Sequence, residues 1–116
     1  MSLEKNVSEK LFQETVMKWA KQHDWKVFHA SPSQPRPGVW KSDGKGFPDL
    51  VLTSMKESSQ GVLFVELKTN IGKLSAEQLS YAHYLIMAGS EYHIEYHIWR
   101  PSDMDKVIER LSRVTK

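Results

Sequence analysis

The sequence contains no cysteine, which excludes a disulfide scaffold, a cysteine nucleophile and any thiolate metal site. It has no apolar run near the ~18 residues that a membrane span needs. Its start, Met1-Ser2-Leu3-Glu4-Lys5, lacks the apolar core of a signal peptide. A soluble protein of the cytoplasm, with no membrane contact, is therefore expected. Internal repeats and low-complexity tracts are absent. Net charge is small, +2, and does not by itself point to a polyanionic partner. At 116 residues the chain is expected to form one domain spanning 1–116, with one core and one cleft. With 40% hydrophobic and 26% charged residues it should fold.

The charge is unevenly placed. Residues 26–48 carry a net +3 through Lys26, Arg36, Lys41 and Lys45 against Asp43, whereas residues 49–100 carry a net −2. The basic segment overlaps a stretch rich in Pro, Ser and Gly, Ser31 to Gly46, which reads as a loop. Around it, hydrophobic periodicity predicts a helix from Ser8 to His23 and strands at 26–29, 49–53, 62–68 and 92–99. It also predicts a helix from Ser75 to Ala88, with Gly89 as its C′ glycine. A last helix is predicted from Ser102 to Arg113, started by a Ser102-x-x-Asp105 capping box. The order α-β-β-β-α-β-α implies an α/β fold, a small sheet flanked by helices. The strand at 62–68 is apolar on both faces until its end, which predicts a central position.

That strand holds the main anomaly. Glu66 and Lys68 are two apart and share one face, ~6.6 Å apart along the strand, while Leu67 points into the core. A carboxylate and an ammonium leave the core together, either as a surface ion pair or as a working site. Asp49 opens the preceding strand, behind Pro48, which fixes the entry angle and removes a ladder donor. If the two strands pair antiparallel, Asp49 and Glu66 meet at one end of the sheet. Carboxylates that close repel unless a cation lies between them. An oxygen-rich pair of this kind suits Mg²⁺ or Mn²⁺, with Lys68 near enough to hold an attacking water or a developing phosphate charge.

Gly46-Phe47-Pro48-Asp49-Leu50 followed by Val65-Glu66-Leu67-Lys68 resembles the Pro-Asp…(Asp/Glu)-x-Lys nuclease core. Gly72-Lys73-Leu74-Ser75-Ala76-Glu77-Gln78 after the lysine narrows the likeness. So do Ser8-Glu9-Lys10-Leu11-Phe12-Gln13 at the start and Gly44-Lys45-Gly46 before the Pro-Asp. Together they resemble the VRR-NUC nuclease family, in particular its short stand-alone phage and bacterial members, although the Val-Arg-Arg triplet is absent. The resemblance implies a restriction-endonuclease-like core and a metal held by Asp49, Glu66 and the backbone carbonyl of Leu67, with Lys68 as the catalytic lysine. It also implies that Gln78 reaches the site from the second helix and that the first helix supplies an acid. Gln78 is equally placed for a capping box with Ser75. For the acid, Glu9 is favoured over Glu14, because Glu9 rides the apolar face with Phe12, Val16 and Ala20. Glu14 shares the polar side with Lys18 and Lys21.

The expected activity is Mg²⁺- or Mn²⁺-dependent hydrolysis of DNA phosphodiesters. The resemblance implies selectivity for branched DNA, above all four-way junctions. Arg36, Lys41, Lys45 and Lys73 are the candidate phosphate contacts. Trp40 is placed either to stack on a splayed base or to anchor the loop. Symmetric cutting of a junction implies a homodimer. His93, Glu95, His97 and Trp99 on the last strand, and Tyr81 and Tyr84 on the second helix, are candidate contact surfaces. His93 and His97 are ~13 Å apart along a strand and cannot share a metal. Flap or nicking activity, or a DNA-binding module without cleavage, are the alternatives.

Overall fold

The chain is described by a computed structural model over residues 8–30, 44–56, 61–89 and 93–113. Helix α1 (Glu9–Gln22) begins where the extended Ser8 accepts a hydrogen bond from the Leu11 amide at 3.1 Å. Phe12, Val16 and Ala20 form its fully buried stripe. Asp24, with φ 66°, turns the chain into strand β1 (Lys26–His29), a conformation that the short polar side chain of Asp tolerates.

Strands β2 (Leu50–Ser54), β3 (Gly61–Leu67) and β4 (Ile94–Trp99) complete a sheet in the order β1-β2-β3-β4. The β1–β2 and β2–β3 pairs are antiparallel, and β3–β4 is parallel. A parallel neighbour needs a crossover, supplied by helix α2 (Ala76–Gly89). After β4, a 3₁₀ turn (Pro101–Asp103) leads into helix α3 (Met104–Leu111).

Strand parity divides the side chains between two layers. Leu50, Leu52, Leu63, Val65, Leu67 and Trp99 pack with α1 and with Met104, Val107 and Leu111 of α3 into one core. Glu66 and Phe64 face the other way, toward α2, where Phe47 lies edge-on between Phe64 and Tyr81 at 6.1 and 5.5 Å. β3 is an interior strand, as its apolar faces require.

Three local expectations change. The last helix, α3, starts at Met104 behind the 3₁₀ turn; Pro101, whose fixed φ suits a first helical position, opens that turn, and Asp103 Oδ2 accepts from the Arg100 amide at 3.0 Å in place of a Ser102 cap. Gly89 is the last residue of α2 and has no positive φ. It is needed because a Cβ there would lie 2.9 Å from the Ile94 carbonyl oxygen. The β4 surface offered for dimerisation is largely consumed by α3: Trp99 is 4% exposed, and Glu95 is held by Arg110.

That Glu95–Arg110 pair is bidentate, at 3.0 and 2.7 Å, and His97 Nε2 adds a contact to Glu95 at 2.7 Å. Arg110 is buried, with its guanidinium 5.3 Å from the centre of the Trp25 ring, and Trp25 Nε1 donates to the Leu111 carbonyl at 2.9 Å. The Arg110 hydrogen bonds hold the Glu95 carboxyl at about 2, below its ordinary 4.5 and against the effect of burial. A depressed carboxyl stabilises the fold above its unfolded pKa, and that contribution is lost as pH falls through the folded one. Stability should therefore drop between about pH 4.5 and 2, and Glu95→Gln should flatten the drop in a pH series of thermal melts.

Candidate active site

The β2–β3 register pairs Leu50 with Val65, which brings Asp49 and Glu66 to the same end of the sheet, as the antiparallel argument requires. Asp49 is fixed there: its Oδ2 accepts the Leu67 amide at 2.8 Å, and its own carbonyl accepts the Ala30 amide at 2.9 Å. The segment leading to it is tightly packed. Pro48 is fully buried, and Gly46 has φ 87°. A Cβ on Gly46 would come within 2.5 Å of the Glu77 carbonyl carbon and 2.7 Å of the Gln78 amide. The approach to Asp49 thus lies directly against the first turn of α2.

Glu66 does not leave the core with Lys68. It is 1% exposed, covered by the start of α2, whereas the Lys68 side chain is 15% exposed. Glu66 Oε2 accepts from Gln78 Nε2 at 3.1 Å and lies 4.0 Å from Lys68 Nζ. The two roles weighed for Gln78 are both filled. Its Oε1 accepts the Ser75 amide at 2.8 Å and its backbone amide donates to Ser75 Oγ at 3.1 Å, while the other end of the amide holds Glu66. The helix cap aims the side chain at the site.

Glu66 Oε1 is buried with no hydrogen-bond donor beside it. The Glu66 carboxyl is pushed up from 4.5 to about 8, chiefly by burial. The neighbouring Asp49 carboxylate adds to the rise, Lys68 opposes it and Glu9 adds a little. A proton or another cation between Glu66 and Asp49 is what the pair lacks when both are ionised. Glu9 is the exposed first residue of α1, near enough to Glu66 for its charge to be felt. Glu14 lines a shallow hollow with Met17, Lys18, Lys21 and Gln22 on the outer side of α1. No group of three His, Cys, Asp or Glu side chains gathers among the described residues; the two carboxylates that the register brings together here are Asp49 and Glu66.

Of the candidate phosphate contacts, Lys45 is exposed and 3.9 Å from Glu77, and Lys73 is exposed after the strand end. Arg36, Lys41 and Trp40 lie outside the described residues. A cavity of about 430 Å³ lined by Glu95, His97, Trp99 and Arg110 opens on the opposite face of the sheet from Glu66.

Two residues near the site escaped the sequence reading. Tyr96 pairs with Phe64 in the row Phe28–Val51–Phe64–Tyr96, so it lies on the face of Glu66. Its hydroxyl is buried without a partner, and its pKa is pushed up to about 12 by burial, with the charges of Glu66 and Asp49 adding. The alternation of 92–99 placed Tyr96 on one face, but not which face meets Glu66. Arg100 donates from Nη1 to the carbonyls of Thr69 and Gly72, both at 2.7 Å, pinning the turn after Lys68. No local pattern signals that contact across 31 residues.

An aspartate opening one strand, antiparallel to a strand that ends Glu-x-Lys, in a mixed sheet flanked by helices, defines a restriction-endonuclease-like fold. The VRR-NUC domain model matches residues 3–96, and the chain belongs to that family. It is accordingly a nuclease domain, and DNA is its partner. No curated protein and no solved structure matches it.

The Gly46 contact gives a direct test of how the site is assembled. Gly46→Ala forces a Cβ into the α2 backbone and strains a positive φ, so it should displace the helix start and release Gln78 from Glu66. We expect a loss of about 2–4 kcal/mol in urea unfolding, well above that of an ordinary surface change. Gly44→Ala, where nothing lies within 4 Å, serves as the control.

Proposed function

We propose that this chain is a metal-dependent, structure-selective DNA endonuclease that cuts four-way junctions as a homodimer, in the cytoplasm of a bacterial or phage-infected cell. The observation that carries the metal site is the Asp49–Glu66 pair, with one buried carboxylate oxygen lacking any donor and Lys68 Nζ 4.0 Å from the other. Hard oxygen donors of this kind fit Mg²⁺ or Mn²⁺, held by Asp49, Glu66 and the carbonyl of Leu67. When bound, such an ion supplies Lewis acidity toward a phosphodiester oxygen.

The chain's own groups have separate tasks. Gln78 fixes the Glu66 carboxylate, and Asp49 is fixed by the Leu67 amide. Lys68, at the mouth of the site, orients the attacking water and stabilises charge developing on the phosphate. Glu9 stands at the rim, where it can accept the proton that water loses. As the water oxygen bonds to phosphorus, one P–O ester bond breaks and the leaving oxygen takes a proton from solvent water. Lys45 and Lys73 contact backbone phosphates, joined by Arg36 and Lys41. Reversing Lys45 and Lys73 to Glu should weaken binding to all sequences alike. The same change should lower the salt slope by about one for each phosphate no longer neutralised.

The dimer follows from the substrate, since two symmetric cuts need two sites related by a two-fold axis. Leu79, Tyr84, Ile86 and Met87 leave apolar area exposed on α2, of the kind subunit contacts cover. Among the described residues no helix is long and apolar enough to cross a membrane.

One assay tests the whole reading. Labelled junction, flap and linear duplex are incubated with Mg²⁺, Mn²⁺ or EDTA, and light scattering reports the mass. Paired cuts in the junction that need metal, with a dimer mass, are expected. A monomer that cuts only flaps would replace this reading with a flap or nicking nuclease. Binding without products under any metal would leave a DNA-binding module.

A further inference from the structure

We infer that the Thr69–Gly72 turn is a rigid shape-reading element, whose tip Ile71 packs against the unstacked base step at a DNA branch point. The inference rests on the nuclease reading above and deepens it by naming what distinguishes a branch from a continuous duplex.

The turn is held from several sides. Its own bond runs from the Gly72 amide to the Thr69 carbonyl at 3.2 Å. Arg100 Nη1 donates to the carbonyls of Thr69 and Gly72, and Asn70 Oδ1 accepts the Ser102 amide at 2.9 Å. At the tip, Ile71 is 90% exposed. A single exposed aliphatic on a surface is ordinary. An aliphatic held at the tip of a turn tied down by four hydrogen bonds is less so, because most of the ordering cost of a contact is already met. The β-branched side chain adds stiffness at χ1.

The turn also rests on the candidate catalytic lysine. A Cβ built on Gly72 would lie 3.4 Å from Lys68 Cδ and 3.0 Å from Thr69 Oγ1. Three residues of chain reach at most ~10 Å, about three base steps at 3.4 Å rise. Ile71 thus lies close along the chain to Lys68, the group assigned above to the phosphate. Residues 67–75 carry Lys68 and Lys73 and no acid, so the segment that bears the apolar tip is itself basic. That combination fits a polyanion with exposed base faces better than it fits a protein groove.

Shape selectivity follows from stacking. Wedging an aliphatic between stacked bases costs a few kcal/mol of stacking energy in a continuous duplex. At a branch the stack is already interrupted, so the same contact forms without that cost. The gain from burying Ile71 then appears at branches and is largely cancelled elsewhere.

The test uses the full chain, Ca²⁺ in place of Mg²⁺ to prevent cutting, and junctions carrying 2-aminopurine beside the crossover. Wild-type protein should raise the probe's fluorescence and bind junction more tightly than duplex. Ile71→Ser, a change at an exposed site that should leave the melting temperature in place, should abolish the rise. It should also lower the junction-to-duplex affinity ratio about tenfold. Arg100→Met, which keeps Ile71 but unpins the turn, should lower the ratio in the same direction. An Ile71→Ser protein that retains both the fluorescence rise and the ratio overturns the inference. So does a wild type that binds junction and duplex equally with no change in fluorescence, in which case the nuclease reading stands. A wild type that binds no DNA of any shape overturns the nuclease reading itself.

Discussion

Lys68→Ala should reduce DNA cleavage by ~10²–10⁴-fold while leaving binding to junctions in Ca²⁺ largely intact. The proposed mechanism gives the lysine two jobs. Its ammonium stands at the mouth of the site, where a phosphate would sit, and its charge eases ionisation of Glu66 4.0 Å away. Removing it withdraws stabilisation from the transition state and strengthens the hold of Glu66 on its proton. The activity that remains should therefore rise more steeply with pH than that of wild type. Single-turnover cleavage over a pH series separates the two effects, since added metal restores the second and not the first. A Lys68→Ala protein that cleaves at the wild-type rate would remove Lys68 from the chemistry.

The second large effect concerns Glu66→Gln. In the metal-free protein, the Glu66 carboxyl titrates at about 8 instead of 4.5, chiefly because it is buried, with Asp49 adding to the rise. Between those values the folded protein holds a proton that the unfolded chain has released. The sign follows: this contribution to stability is complete below about pH 4.5, declines as pH rises, and is lost above about 8. The slope within that window is at most ~1.4 kcal/mol per pH unit. Glu66→Gln keeps the shape and a hydrogen-bonding amide but has no proton to lose. It should therefore be more stable than wild type in EDTA at pH 8–9, by a few kcal/mol, and nearly equal to it at pH 5. The same substitution should abolish Mn²⁺ binding, because the pair loses the charge that attracts the ion. Urea midpoints in EDTA and titration calorimetry with Mn²⁺ measure the two halves separately. Parallel stability profiles for the two proteins would show that Glu66 is ionised in the metal-free fold. In wild type, Mn²⁺ binding should release a proton below pH 8, visible as a buffer-dependent binding enthalpy.

The placement of the candidate residues was legible in the sequence where the information was local. Asp49 and Glu66 lie on strands joined by a short connection, so antiparallel pairing alone brings them together, and the register delivers it. The side of the sheet that Glu66 shares with Lys68 follows from the two-residue period of a strand. The reading of Glu66 as leaving the core failed for a related reason. Strand parity states which face a side chain takes but not what covers that face, and α2 covers it. Gln78 shows both sides. Its capping box with Ser75 is local and was legible, and its bond to Glu66 depends on where α2 docks. The last strand misled for the same reason: its alternation was visible, but Trp99 proved buried and Glu95 held by Arg110 of α3.

The amino-acid sequence by itself determined the order of the elements, the pairing of β2 with β3, and the presence of two carboxylates and a lysine at one sheet end. Each of these depends on helix or strand periodicity, on caps, or on short connections, all of which act within a few residues. Only the tertiary structure decided that Glu66 is buried, with its carboxyl pushed up to about 8, that Tyr96 shares its face, and that Arg100 locks the turn beyond Lys68. Those outcomes all depend on β4 lying parallel beside β3 and on α2 crossing over the Glu66 face. A crossover closes a long loop, and its placement is chosen by which faces bury the most apolar surface, a property of the whole fold that no short stretch of sequence encodes.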